Sequence, residues 1–261
     1  MPLWIGVVLL GIIEGLTEFL PVSSTGHLLL AERWLPKQTQ LFNIVIQCGA
    51  VLAVLPLFPQ RLGQFMFRWQ DPAVRNYLIK IAVAFVITAA GGFVLDKNNF
   101  RLPDEMLPIA IALFIGGILF IATEKWLSGR TLKNEITWPI VFAVGLGQIV
   151  AAVFPGTSRS GATILLALIL GLNRAAATEF SFLVGIPTML AAGGLKIVKA
   201  LHHNGGTDES WGMVLLGFLV AGIVSFCAVK WMLRYVQTHT FVAFGWYRIL
   251  LAVVITVKLV L

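Results

Sequence analysis

The sequence predicts an all-α integral membrane protein with six transmembrane helices and two re-entrant helical hairpins, arranged as an inverted-topology repeat. Three observations predict it. Of 261 residues, 58% are hydrophobic and 12% charged, against about a quarter charged in an ordinary soluble domain. The apolar residues fall in blocks, most of them approaching or matching the about 17–25 helical residues that cross hydrocarbon. Two further apolar stretches are each cut by a proline followed by a cluster of Ser, Thr and Gly.

The elements follow in chain order. Residues 3–20 are apolar but are stopped by Pro21 in Pro21-Val22-Ser23-Ser24-Thr25-Gly26-His27, and the next apolar run ends by Trp34, too short to cross. This predicts a first hairpin over 3–34. Glu14 and Glu18 lie within its apolar stretch and no small-residue cleavage site follows, so a removed signal peptide is not expected. Spans are predicted at 42–58, 81–95 and 107–123. Residues 138–154 are then stopped by Pro155-Gly156-Thr157-Ser158-Arg159-Ser160-Gly161, with a short run at 162–172 behind, which predicts a second hairpin over 138–172. Spans at 180–195, 213–229 and 241–257 complete the chain.

Gly11, Glu14 and Pro21 stand opposite Gly145, Gln148 and Pro155 at one constant offset, so the chain reads as a duplication, 1–130 and 131–261, within one membrane domain. Each half holds one hairpin without net crossing and three spans, and an odd span count inverts the second copy. Loop charge agrees. Arg61, Arg68, Arg75 and Lys80 mark one cytoplasmic connection, Lys125, Arg130 and Lys133 another, and Lys230 with Arg234 a third, whereas 96–105 and 202–209 are mixed and fit the outside. The first hairpin then enters from outside and the second from the cytoplasm, so that their broken tips meet. Irregular backbone at such depth is tolerated only around a protein-lined or watery cavity.

The net charge of +7 does not indicate nucleic acid, because the 19 Lys and Arg lie mostly in short connections where lipid headgroups and topology account for them. Cys48 and Cys227 each sit in an apolar run and read as small buried hydrophobes, with no disulfide framework or paired metal motif.

The polar residues at the breaks carry the chemistry. Glu14 and Glu18, at i and i+4, stack two carboxylates on one helix face and call for a metal or proton role, with solvation near the headgroups as the alternative. Ser23, Ser24 and Thr25 open a new half-helix, whose hydroxyls and free N–H groups suit an anion such as phosphate; one of them is expected only to cap. His27 falls one turn after Ser24, within proton-transfer reach of its oxygen. In the second break, Arg159 stands between Ser158 and Ser160, with Thr163 one turn on, and Gly156 permits close backbone approach to an anion. A guanidinium there matches phosphate oxygens bidentately, and a structural pairing with Glu14 or Glu18 is compatible with that use. Gln47, Gln148, Glu179 and Arg248 also lie in or beside apolar runs and are read as structural hydrogen-bonding or snorkelling side chains.

The two segments Glu14-Gly-Leu-Thr-Glu18-Phe-Leu-Pro21-Val-Ser-Ser-Thr-Gly-His27 and Pro155-Gly-Thr-Ser-Arg159-Ser-Gly-Ala-Thr163 resemble the signature motifs of undecaprenyl pyrophosphate phosphatases of the bacitracin-resistance type. The resemblance covers essentially the whole chain. It implies hydrolysis of a polyprenyl diphosphate lipid, undecaprenyl diphosphate, to the monophosphate in the bacterial inner membrane, recycling the carrier for peptidoglycan. It further implies dependence on a divalent cation (Mg2+ or Ca2+) and a pocket opening to the periplasmic side. By matching position, Glu14 and Glu18 would hold metal, with Glu18 also in acid–base work, Ser24 would be a nucleophile, His27 its proton partner and Arg159 the phosphate clamp. Ser23, Thr25, Gly26, Gly156, Ser158, Ser160 and Thr163 would surround the phosphates. Attack by His27 or by a metal-bound water stays open. The competing class is a lipid or solute transporter, since inverted repeats with broken helices are also a transporter architecture. The expected partners are the lipid substrate and the bilayer, with a homodimer compatible with the sequence.

Overall fold

The computed structural model describes residues 2–98, 105–203 and 210–260. Eleven α-helices account for the fold among these residues, and the only β-type pairing there is an isolated bridge between Lys133 and Leu172. All six predicted spans are present as helices long and apolar enough to cross a membrane. They are α3 (Gln40–Val54, extended by a 3-10 turn over Leu55–Leu57), α5 (Pro72–Lys97), α6 (Met106–Leu127), α9 (Arg174–His203), α10 (Trp211–Thr238) and α11 (Val242–Val260). The outward faces are apolar: Val86, Phe93, Ile115, Ile223 and Leu250 are all exposed. So much contiguous apolar surface requires lipid rather than water, and the protein is a multi-span membrane protein.

Each proline-broken stretch is a pair of helices joined at a break. α1 (Leu3–Thr17) ends at the residue four before Pro21, whose ring clashes with that carbonyl and whose missing N–H cannot continue the ladder. α2 (Ser24–Ala31) then begins behind Ser23, whose hydroxyl accepts from Gly26 N at 3.4 Å. α7 (Trp138–Val153) runs into Phe154, which takes the extended conformation favoured before a proline. α8 (Arg159–Ile169) begins behind Ser158, which accepts from Gly161 N at 3.2 Å. At about 1.5 Å per residue, α2 and α8 span about 12 and 16 Å, well short of a bilayer core.

Ser23 and Ser158 are the two non-glycine residues with positive φ among those described, at 72° and 66°. They play the same local part at the two breaks, although one residue separates Pro21 from Ser23 and two separate Pro155 from Ser158. The constant offset of the sequence comparison thus slips by one residue inside the break. Ser24 has Arg159, not Ser158, as its counterpart, each being the first residue of its half-helix.

Packing crosses between the halves of the chain. α1 lies against α10, α7 against α5, α11 against α6, and α3 against both α10 and α9. Glycines set the closeness of α1 to α10: a Cβ on Gly15 would come within 2.6 Å of the Ala221 carbonyl. The largest apolar cluster, including Phe19, Val22, Phe180, Phe182 and Val184, surrounds the end of the first break, and Phe19 meets Phe182 edge to face at 5.0 Å.

Several local expectations change. A short helix, α4 (Pro59–Phe67), occupies the first basic connection, and α5 starts at Pro72 behind the Asp71 cap, earlier than hydropathy suggests. Lys80 accordingly lies within α5, buried, and donates to the Ile136 carbonyl at 2.6 Å rather than standing in a loop. Cys227 is exposed on the outer face of α10, not buried, whereas Cys48 is half-buried; both are free thiols. The two connections expected outside fall largely at 99–104 and 204–209, beyond the described residues.

Candidate active site

The two breaks meet. Ser160 Oγ donates to the Leu20 carbonyl at 3.1 Å, binding the start of α8 to the end of the first break, and Ser158 and Ser160 hydroxyls lie 3.2 Å apart. Between the tips is a cavity of about 110 Å³ lined by Glu18, Ser23, Ser24, Thr25, Gln47, Ala151, Pro155, Gly156, Ser158 and Arg159. Seven of the residues expected at the site thus share one space.

Glu18 is its centre. One carboxylate oxygen accepts from Ser24 Oγ at 2.8 Å and from Gln47 Nε2 at 3.2 Å, while the other accepts from Arg159 Nη2 at 3.3 Å. The hydroxyl at the head of α2 and the guanidinium at the head of α8 are therefore held by one buried carboxylate. Arg159 is further placed by Met189 Sδ at 2.5 Å and by the Phe19 ring, 5.4 Å from Cζ. Its Nε and Nη1 are buried with no partner. Buried N–H groups in that state are rare because each forfeits its hydration; here they are donors available to an anion.

Glu14 lies behind this shell, 1% exposed, with its carboxyl adjoining that of Glu18 and with Oε2 unpartnered. No cluster of three or more His, Cys, Asp or Glu occurs among the described residues. The donor set nevertheless fits a hard divalent cation: two adjacent carboxylates, one with an orphaned oxygen, and the Ser24 hydroxyl bonded to one of them. Mg2+ commonly binds through one or two carboxylates plus phosphate oxygens and water.

The remaining expected residues stand around the cavity. Gly26 is buried in the first turn of α2, with its N–H on Ser23. Thr163 bonds the carbonyls of Arg159 and Ser160 and the hydroxyl of Ser181, so it braces the first turn of α8. Gly156, at φ 91°, lies so close to Ile109 that a Cβ would sit 2.7 Å from its carbonyl. His27 does not bond Ser24. Its Nδ1 faces the Ser23 carbonyl at 2.8 Å and its Nε2 faces Tyr247 Oη at 2.6 Å. A carbonyl can only accept, so Nδ1 carries the proton and Nε2 takes one from the tyrosine.

Sequence reasoning missed several participants. Gln47 and Arg248 were visible only as polar residues in apolar runs. Tyr247 and Met189 carried no signal. Nor did Gly185, where a Cβ would fall 1.6 Å from Arg159 Nη1.

Fold and site define a multi-span membrane protein with a polar cavity, lined by one guanidinium, one carboxylate and several hydroxyls, between two broken helices. The family model described as bacitracin resistance protein BacA matches residues 7–254, and the chain belongs to that family. It is 51% identical over 253 residues to the undecaprenyl-diphosphatase of Rhizobium etli (strain CIAT 652), covering 97% of this chain and 96% of the relative. It is 46% identical over 248 residues to that of Xanthomonas axonopodis pv. citri (strain 306), covering 95% and 94%.

Proposed function

We propose that this protein hydrolyses undecaprenyl diphosphate to undecaprenyl phosphate and inorganic phosphate, recycling a carrier lipid for cell-wall synthesis and so supporting resistance to bacitracin. The observation that carries the reading is the junction of Ser24, Glu18 and Arg159, with two unpartnered guanidinium nitrogens, in a chain 51% identical to a protein named for this activity. Transferring a phosphoryl group demands charge neutralisation and positioning more than elaborate covalent chemistry, and a hydroxyl held on a carboxylate beside an anion clamp supplies a nucleophile with its proton acceptor, which binding alone does not require.

In this mechanism Arg159 binds the terminal phosphate through Nε and Nη1. Ser24 Oγ attacks the terminal phosphorus while Glu18, already its hydrogen-bond acceptor, takes the proton. The bond to the bridging oxygen breaks, and undecaprenyl phosphate leaves with the electron pair. Water then cleaves the phosphoserine and releases inorganic phosphate. Glu18 is better placed than His27 to receive the Ser24 proton; His27, between Ser23 and Tyr247, orients the head of α2. Ser23, Thr25, Gly156 and Ser158 contact the phosphates, and Gly26, Ser160 and Thr163 hold the backbone behind them. Glu14 and Glu18 would hold a divalent cation, Mg2+ or Ca2+, which when bound neutralises charge on the diphosphate.

The membrane placement belongs to the same proposal. The two helix pairs are re-entrant hairpins of inverted halves, 1–130 and 131–261, and the catalytic cavity opens toward the periplasm. The exchanged packing of α1 on α10 and α7 on α5 supports it. So does a separate cavity of about 670 Å³ that shares no lining residue with the catalytic one and draws on Arg61, Lys80 and Arg174, as a cytoplasmic end should.

The test is phosphate release from undecaprenyl diphosphate by purified wild type, Arg159→Ala and Ser24→Ala, with and without a chelator. Release by wild type alone, abolished by chelation, is expected. Full activity in Ser24→Ala would move the attack to water or His27, and a folded wild type that releases nothing would sink the phosphatase reading.

A further inference from the structure

Arg248 lies on α11, and its side chain is among the largest that are fully buried. Among the described residues its hydrogen bonds run to backbone carbonyls. Nη1 donates to Pro21 O at 3.1 Å, in the first break. Nη2 donates to Thr157 O at 3.0 Å and Gly156 O at 3.3 Å, in the second. Nη2 and Nε also reach Ala112 O and Leu113 O of α6 at 3.3 and 3.4 Å. α6 admits the group only because it carries glycine there: a Cβ on Gly116 would stand 2.2 Å from Nη2.

The placement has an electrostatic logic. Pro21 follows the C-terminal end of α1, and Gly156 and Thr157 follow that of α7, where unsatisfied carbonyls give each helix its negative end. The heads of α2 and α8, the positive ends, line the catalytic cavity. A cation thus sits behind both breaks and the anion site in front of them. Lysine could supply the charge, but its compact ammonium lacks the planar fork of five N–H groups that holds carbonyls from three chain segments at once.

We infer that Arg248 is a positioning residue for the phosphatase reaction: by binding the carbonyls of both breaks it sets the spacing between Ser24 and Glu18 on one tip and Arg159 on the other. This rests on the phosphatase reading. The pin touches no substrate, and a tip displaced by about 1 Å would lower the catalytic rate by about 100-fold. Because the loss falls on alignment in the transition state, kcat drops while KM changes little.

The experiment compares full-length wild type, Arg248→Lys and Arg248→Ala in detergent by melting temperature, kcat and KM on undecaprenyl diphosphate, and rescue by added guanidinium. A parallel set, with Cys48 and Cys227 replaced by serine, carries Leu20→Cys in the first break with Thr157→Cys in the second and is read by a short thiol cross-linker, which reports tip spacing without activity. Folded variants with kcat down about 100-fold, slower cross-linking, and guanidinium rescue of Arg248→Ala but not Arg248→Lys are expected. A folded Arg248→Ala with near-wild-type kcat and cross-linking would overturn the inference. So would failure of both variants to fold, which would leave Arg248 a folding role alone. If wild type itself releases no phosphate, the phosphatase reading fails, and unchanged or altered cross-linking still decides whether Arg248 sets the spacing.

Discussion

Gly185→Ala tests the position of the phosphate clamp without removing any catalytic group. Gly185 lies on α9 beside the Arg159 guanidinium, and an added Cβ would stand 1.6 Å from Nη1, 2.6 Å from Cζ and 3.3 Å from Nη2. Ordinary contact needs about 3.5 Å, so the guanidinium must retreat by about 2 Å. That displacement exceeds what the 3.3 Å contact with Glu18 can absorb. A misplacement of about 1 Å can cost about 100-fold in rate, so kcat should fall at least that far, about 2.7 kcal/mol of barrier. Stability should fall as well, but by less than the activity suggests. Disrupting the buried pair costs about 3 kcal/mol, and replacing a helical glycine by alanine returns about 0.4–1 kcal/mol through the unfolded chain. Phosphate release and the melting temperature of the same detergent-purified sample would then read both effects: kcat lost in the folded fraction, melting temperature modestly lowered. A Gly185→Ala enzyme with wild-type kcat would refute the claim that the clamp occupies this position during turnover, and an unchanged melting temperature would show that the contact with Glu18 survives the displacement.

Three further outcomes are expected. Tyr247→Phe removes the hydroxyl 2.6 Å from His27 Nε2 and frees that nitrogen, so kcat should fall by less than about 10-fold, the loss of about one hydrogen bond, with a changed pH profile; identical profiles would mean the contact is idle. Glu14→Gln should raise the divalent-ion concentration for half-maximal rate by about 10–100-fold while excess metal restores most activity, and an unchanged metal requirement would remove Glu14 from the metal site. Glu124 is buried and binds both Arg174 and the Phe241 N–H, so Glu124→Ala should lower stability by about 3 kcal/mol, seen as a depressed melting temperature; normal kcat in the folded fraction is expected, since none of these groups lines the catalytic cavity.

The six spans, both breaks and most of the cavity's lining were legible because their signals are local. Unbroken apolar length, a proline with its clash four residues upstream, and hydroxyls at a helix start all act within a few residues of chain. What was not legible lay in relations between distant residues. Hydropathy could not see that α5 begins at Asp71-Pro72, nor that the caps Ser23 and Ser158 differ by one residue in their distance from the proline. His27 was expected on Ser24 from helical spacing, yet a carbonyl four residues back and a tyrosine from α11 occupy its two nitrogens.

By itself the sequence determined that this chain lives in a bilayer, where it breaks, and which reactive groups the breaks carry, since these follow from chain chemistry and the cost of exposed backbone in hydrocarbon. Only tertiary structure decided which groups meet. Glu18 and Arg159, 141 positions apart, share a contact, and Arg248 of α11 binds both breaks. In lipid every helix is apolar on nearly every side, so periodicity does not reveal which face meets which neighbour. Partners of the few buried charges are set by helix packing, where glycines such as Gly116 and Gly185 leave the room.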